Sequence, residues 1–150
     1  ARPVAIGGIS ILCFSMIVFF IQFANYFEKS RTWNIAIKIS GGLAMLSATF
    51  IFSKYHDVMT TILSISGTIV IIGMIRALHN NQFPFFKVIG IFCILIIGLN
   101  NFLYYNEDLI QYSPLVQKGA FLLILSWTIG LNFIINRKNV PQQRTELKNK

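Results

Sequence analysis

Two short polar stretches hold the side chains best suited to chemistry. "FSKYHDVMTT", Phe52 to Thr61, places Lys54, Tyr55, His56 and Asp57 in consecutive positions. "YYNEDLIQYSP" supplies Glu107 and Asp108. A histidine beside carboxylates can act as a general base with an orienting acid, or can bind a divalent metal. His56, Asp57, Glu107 and Asp108 are therefore the candidate catalytic residues, and hydrolysis at a membrane interface is the reaction they would suit. The same stretch also has a structural use. Lys54 can snorkel, Tyr55 can anchor at headgroups, and Asp57 can favour the positive end of the helix that follows. HExxH and HxxxH are absent, so the identity of any metal stays open. Walker A, GxGxxG and GxSxG are absent too, and no cofactor is expected.

The elements that must position these residues are apolar. The chain has 150 residues, 55% hydrophobic and 12% charged, against about 25% charged in a typical soluble domain. Five stretches are nearly free of charge, and the charges collect between them. Crossing about 30 Å of hydrocarbon takes about 20 apolar residues. Helices are expected, because lipid offers no partner for free backbone groups. The runs are continuous, so they do not suit the alternating strands of a barrel. The sequence predicts an all-α, polytopic transmembrane helix bundle. Its spans are Val4 to Ala24, Asn34 to Phe52, Val58 to Leu78, Pro84 to Tyr105 and Leu115 to Ile135. The bundle takes residues 1–136, and residues 137–150 form a basic, solvated tail. Pro84 suits a first helical turn, and Ser113 in "QYSP" suits a cap.

The net charge of +8 could suggest nucleic acid. The basic residues flank apolar segments instead, which points to topology and anionic lipid, with no nucleic-acid partner. With five spans, ten basic residues share one side: Lys29, Arg31, Lys38, Arg76, Lys87, Arg137, Lys138, Arg144, Lys148 and Lys150. Arg2, Lys54 and Lys118 take the other side. The positive-inside rule puts the C-terminus in the cytoplasm of a cell-membrane protein and the N-terminus outside. An N-out start and an initial Ala1 raise the expectation of a missing upstream helix. The first segment lacks a small-x-small cleavage site, so it reads as a span and not a signal peptide. Cys13 and Cys93 lie mid-segment with no CxxC, which supports neither a disulfide framework nor a zinc site.

Polar residues inside the segments suggest contacts. Thr60, Ser64 and Thr68 share one face of the third segment. Ser40, Ala44 and Ala48, with Gly41 and Ser47 nearby, share one face of the second. Small residues let helices approach closely in lipid, so a tight second–third helix contact is expected, with a polar ligand cleft as the other reading. Asn100 and Asn101 should bond across to another helix or to loop water. A faint repeat spaces Lys38, Gly41 and Tyr55 as it does Lys87, Gly90 and Tyr104, although interfacial Lys and Tyr anchors produce such spacing unaided. No charge lies at the middle of a span, which argues against a proton-driven transporter or voltage sensor.

"KISGGLAMLSATFIFSKYHD", then "VMTTILSISGTIVIIGMIRAL", then "LVQKGAFLLILSW" give an order of features that resembles a known family. It is the family of six-helix membrane proteins called domain of unknown function 998. In that family a His follows the third span and opens the fourth, and a Gly-x-x-Gln-Lys/Arg-like element opens the last. His56 matches the first feature, and Gln117 with Lys118 the second. The resemblance covers about residues 5 to 136. It implies that the first span here is the second of six, and it carries no activity to transfer. The expected function is therefore binding of membrane lipids or of a partner membrane protein, a homo-oligomer included. The alternatives are an interfacial lipid hydrolase and a transporter or channel subunit.

Overall fold

A computed structural model describes the backbone of residues 2–51, 54–106 and 108–148, and the side chains of residues 7–51, 54–106 and 108–137. The described residues are mostly helical, with no strand among them. Five α-helices follow in order: α1 Arg2–Phe27, α2 Arg31–Thr49, α3 His56–Asn80, α4 Pro84–Tyr105 and α5 Ser113–Lys148. A short 3₁₀ turn, Ile110–Tyr112, leads into α5.

Among the described residues, four helices are long and apolar enough to cross a membrane: those over Gly7–Phe27, His56–Asn80, Pro84–Tyr105 and Ile110–Arg137. The expected second span forms α2, but α2 is not one of these four. Asn34 and Lys38, together with Ser40, Gly41, Gly42 and Ser47, dilute its hydropathy. Its 19 residues would still reach about 28 Å. Helix α5 runs on to Lys148, so the backbone of the segment read as a solvated tail is helical. Gln142, Gln143, Arg144, Glu146, Leu147 and Lys148 are all strong helix formers, and they carry the helix on past Pro141. Pro84 begins α4, as its fixed φ favours. Ser113, by contrast, has helical dihedrals (φ −54°, ψ −43°) and so is not an N-cap.

The chain divides into two compact units, residues 1–94 and 95–150. In the first, α2 packs against both α1 and α3. The buried faces repeat at helical spacing. They comprise Phe19, Phe20, Phe23, Ala24 and Phe27 on α1; Ile37, Gly41, Ala44 and Ser47 on α2; and Val70, Gly73, Met74 and Ala77 on α3. Phe19, Phe20, Phe23 and Phe27 form a run of ring contacts, with centroids 4.8 to 5.9 Å apart. Two glycines set how closely the helices approach. A Cβ on Gly41 would lie 2.5 Å from Phe20 Cδ2, and one on Gly73 would lie 2.7 Å from Ile37 Cγ1.

The expected second–third helix contact is present, with Gly73 of α3 close against Ile37, but Gly41 of α2 meets Phe20 of α1 instead, and the polar part differs too. Thr60 donates to His56 O at 2.8 Å, Thr61 to Asp57 O at 2.9 Å and Thr68 to Ser64 O at 2.7 Å. These hydroxyls bond one turn back within α3, the local competitor that Ser and Thr always have in a helix.

In the second unit, the 3₁₀ turn packs on α5. Ala120, Trp127, Leu131 and Ile135 form the buried stripe of α5, and Leu103 is buried on α4. Asn100 is bonded as expected, accepting from Ser113 Oγ at 3.4 Å.

Large apolar side chains also cover the outward faces. Ile11, Phe14, Val18 and Ile21 line one side of α1. Ile35, Ile39, Leu43, Leu46 and Phe50 do the same on α2, and Phe85, Val88, Phe92, Leu95, Leu99 and Phe102 on α4. Each series steps by three or four residues, so each is one continuous stripe. A helix that is apolar on both its packed and its open face suits hydrocarbon or the interior of a larger assembly.

Candidate functional site

His56 is the first residue of α3 and is exposed. Its Nδ1 lies 2.8 Å from the Ile51 carbonyl oxygen. A carbonyl can only accept, so Nδ1 carries the proton and Nε2 is left as the acceptor nitrogen. Asp57 is exposed in the first turn of α3, where a negative charge opposes the positive end of the helix. Lys54 sits over the Tyr55 ring, 5.0 Å from its centroid. Asp108 belongs to the second unit, is exposed, and donates its backbone N–H to Asn106 Oδ1 at 3.2 Å. That bond is an Asx turn and needs no ligand. Glu107 lies outside the described residues. Among the described residues, no three His, Cys, Asp or Glu side chains gather as they would around a metal ion.

A polar assembly lies at the opposite end of the first unit, where α1 turns into α2 and α3 ends. Helix α1 stops without a glycine, so its last carbonyls need other partners. Ala24 O accepts Asn34 Nδ2 at 2.6 Å and the Glu28 backbone N–H at 3.1 Å. Phe27 O accepts Asn81 Nδ2 at 2.7 Å. Lys38 Nζ donates to Asn25 Oδ1 at 2.6 Å, tying α2 back to α1.

Glu28 is the centre of this assembly. Its side chain is only 2% exposed. Oε1 accepts the Ser30 backbone N–H at 2.9 Å, which places the carboxylate at the start of α2. Oε2 faces Arg76 Nη1 on α3 at 3.6 Å, an ion pair just too long for a hydrogen bond. Both atoms are buried without a hydrogen-bond partner. The Arg76 guanidinium lies 5.1 Å above the Trp33 ring, a cation–π contact that joins α3 to α2. Three helices thus converge on one buried carboxylate. Close by, Lys87 Nζ of α4 lies 3.5 Å from His79 Nδ1 of α3.

Sequence reasoning did not single out Glu28, which looks like an ordinary loop charge beside Lys29. The available signal was scarcity. An acid between two apolar runs, followed by a helix start at Ser30, has few places to go except a cap. No protein-family model, curated protein or solved structure matches the chain, so its chemistry has to be argued from the geometry above.

Proposed function

We propose that the chain is a multi-pass integral membrane protein that works by binding, its ligand being membrane lipid or a partner membrane helix. One observation carries this reading: every helix bears large apolar side chains on its open face, such as Phe14 at 70% exposed and Ile129 at 68%. Water would penalise such stripes heavily, whereas lipid tails or another helix would accept them. The likeness to domain of unknown function 998, resting on His56, Gln117 and Lys118, belongs to the same proposal and concerns architecture only. In this reading α2 crosses as well, the rim bearing Lys29 and Arg76 faces the cytoplasm, and the C-terminus lies on that side of the cell membrane.

Cysteine labelling tests the arrangement. Lys54→Cys and Lys29→Cys sit beyond opposite ends of α2, and the two native cysteines are buried. An impermeant maleimide added to intact cells should label Lys54→Cys, and should reach Lys29→Cys only after the membrane is opened. Labelling of both from outside would mean that α2 does not cross.

A second reading, an interfacial lipid hydrolase, draws on the His56 ring. Its Nδ1 bond to Ile51 O fixes the tautomer in which Nε2 can take a proton. Its signature would be lipid turnover that depends on His56.

A further inference from the structure

We infer that Arg76, His79 and Lys87 form a site for the phosphate of an anionic phospholipid headgroup, an inference that rests on the membrane-binding reading above. Arg76 and His79 lie three residues apart on α3, so they share a face on successive turns. Lys87, one turn into α4, reaches that face by its 3.5 Å contact with His79. Two basic groups have therefore approached each other, and the only described salt bridge near them is Arg76 with Glu28. Glu28 balances one positive charge, which leaves Lys87 without a described carboxylate partner. Lys87 Nζ donates to His79 Nδ1, and a phosphate oxygen would accept from its remaining N–H groups together with the His79 Nε2–H.

Arg76 is suited to the same anion. Its side chain is 40% exposed, its Nη1 faces Glu28, and its guanidinium lies over the Trp33 ring. The fork is thereby fixed in orientation while part of it stays open to an incoming ligand. The surroundings select a lipid over a free anion. Phe85 and Val88 flank Lys87 on α4 at 70% and 49% exposed, and Ile69 and Ile72 lie just before Arg76 on α3, also exposed. Acyl chains can lie against these side chains while the headgroup meets the cations.

Native mass spectrometry of the full chain released from phosphatidylcholine nanodiscs doped with phosphatidylglycerol tests this. The readout is the ratio of phosphatidylglycerol to phosphatidylcholine retained. Removing the Lys87 charge should lower that ratio about fivefold. Lys87→Gln and His79→Gln should each lower it, Lys87→Arg should keep it, and the pair Lys29→Gln with Arg31→Gln, on the same rim, should leave it nearly unchanged. An equal loss from the Lys29 and Arg31 pair would show diffuse surface charge and overturn the site. No loss from Lys87→Gln would overturn it as well. Displacement of the lipid by inorganic phosphate at modest concentration would assign the site to a soluble anion instead. Failure of the parent chain to enter nanodiscs would defeat the membrane reading itself. Entry without phosphatidylglycerol preference would defeat only the headgroup site.

Discussion

Replacing Gly41 by alanine tests the packing of α1 on α2, with a control one residue away. A Cβ at Gly41 would sit 2.5 Å from Phe20 Cδ2, 2.8 Å from Cγ and 3.1 Å from Cβ. The last of these is the root of the side chain, so rotating the ring cannot relieve the whole clash. Phe20 is 6% exposed and touches Phe19, and it has little room to retreat. The helices must part, and overpacking of this kind costs about 1–3 kcal/mol. Alanine also gains on glycine in a helix by up to about 1 kcal/mol, which could hide the clash in a single measurement. Gly42 removes that ambiguity, because a Cβ there meets nothing within 4 Å. Both substitutions gain the same propensity in the same helix, and only Gly41→Ala meets Phe20. Gly41→Ala should therefore be less stable than Gly42→Ala by about 1–3 kcal/mol, measured by reversible denaturation in mixed micelles. Equal stability, or a more stable Gly41→Ala, would refute the close approach of α1 and α2 at Phe20.

The buried carboxylate makes a directional prediction. Arg76→Gln strands Glu28 at 2% side-chain exposure and should cost about 1–3 kcal/mol, less than for a fully buried pair because Arg76 is 40% exposed. Glu28→Gln keeps an oxygen for the Ser30 N–H and leaves Arg76 partly solvated, so it should cost less; the reverse order in the same denaturation assay would show that Glu28 is not held by Arg76. For the hydrolase reading, His56→Ala should abolish release of fatty acid or headgroup from vesicles while helical circular dichroism is kept. A parent protein with no measurable turnover removes that reading.

The helical class was legible because its cause is local. Long uncharged runs leave the backbone no partner but itself, and the observed α4 has the expected bounds, Pro84 to Tyr105. Helix α2 was harder, since Asn34 and Lys38 lower its hydropathy while their bonds to Ala24 O and Asn25 hold it to α1. The hydroxyl stripe of α3 was visible as spacing, but spacing cannot tell a bond across to a neighbour from a bond one turn back. The grouping of His56 and Asp57 with Asp108 rested on topology alone, and each has a local role at a helix start or a turn.

Composition and periodicity alone determined that this chain is helical and apolar on every side, because backbone hydrogen bonding and side-chain period are properties of neighbouring residues. Only the tertiary structure decided that Glu28 lies buried against Arg76 and the start of α2. Local sequence could point Glu28 to the start of α2, but its pairing with Arg76 depends on which residues of three separate helices reach the same few ångströms.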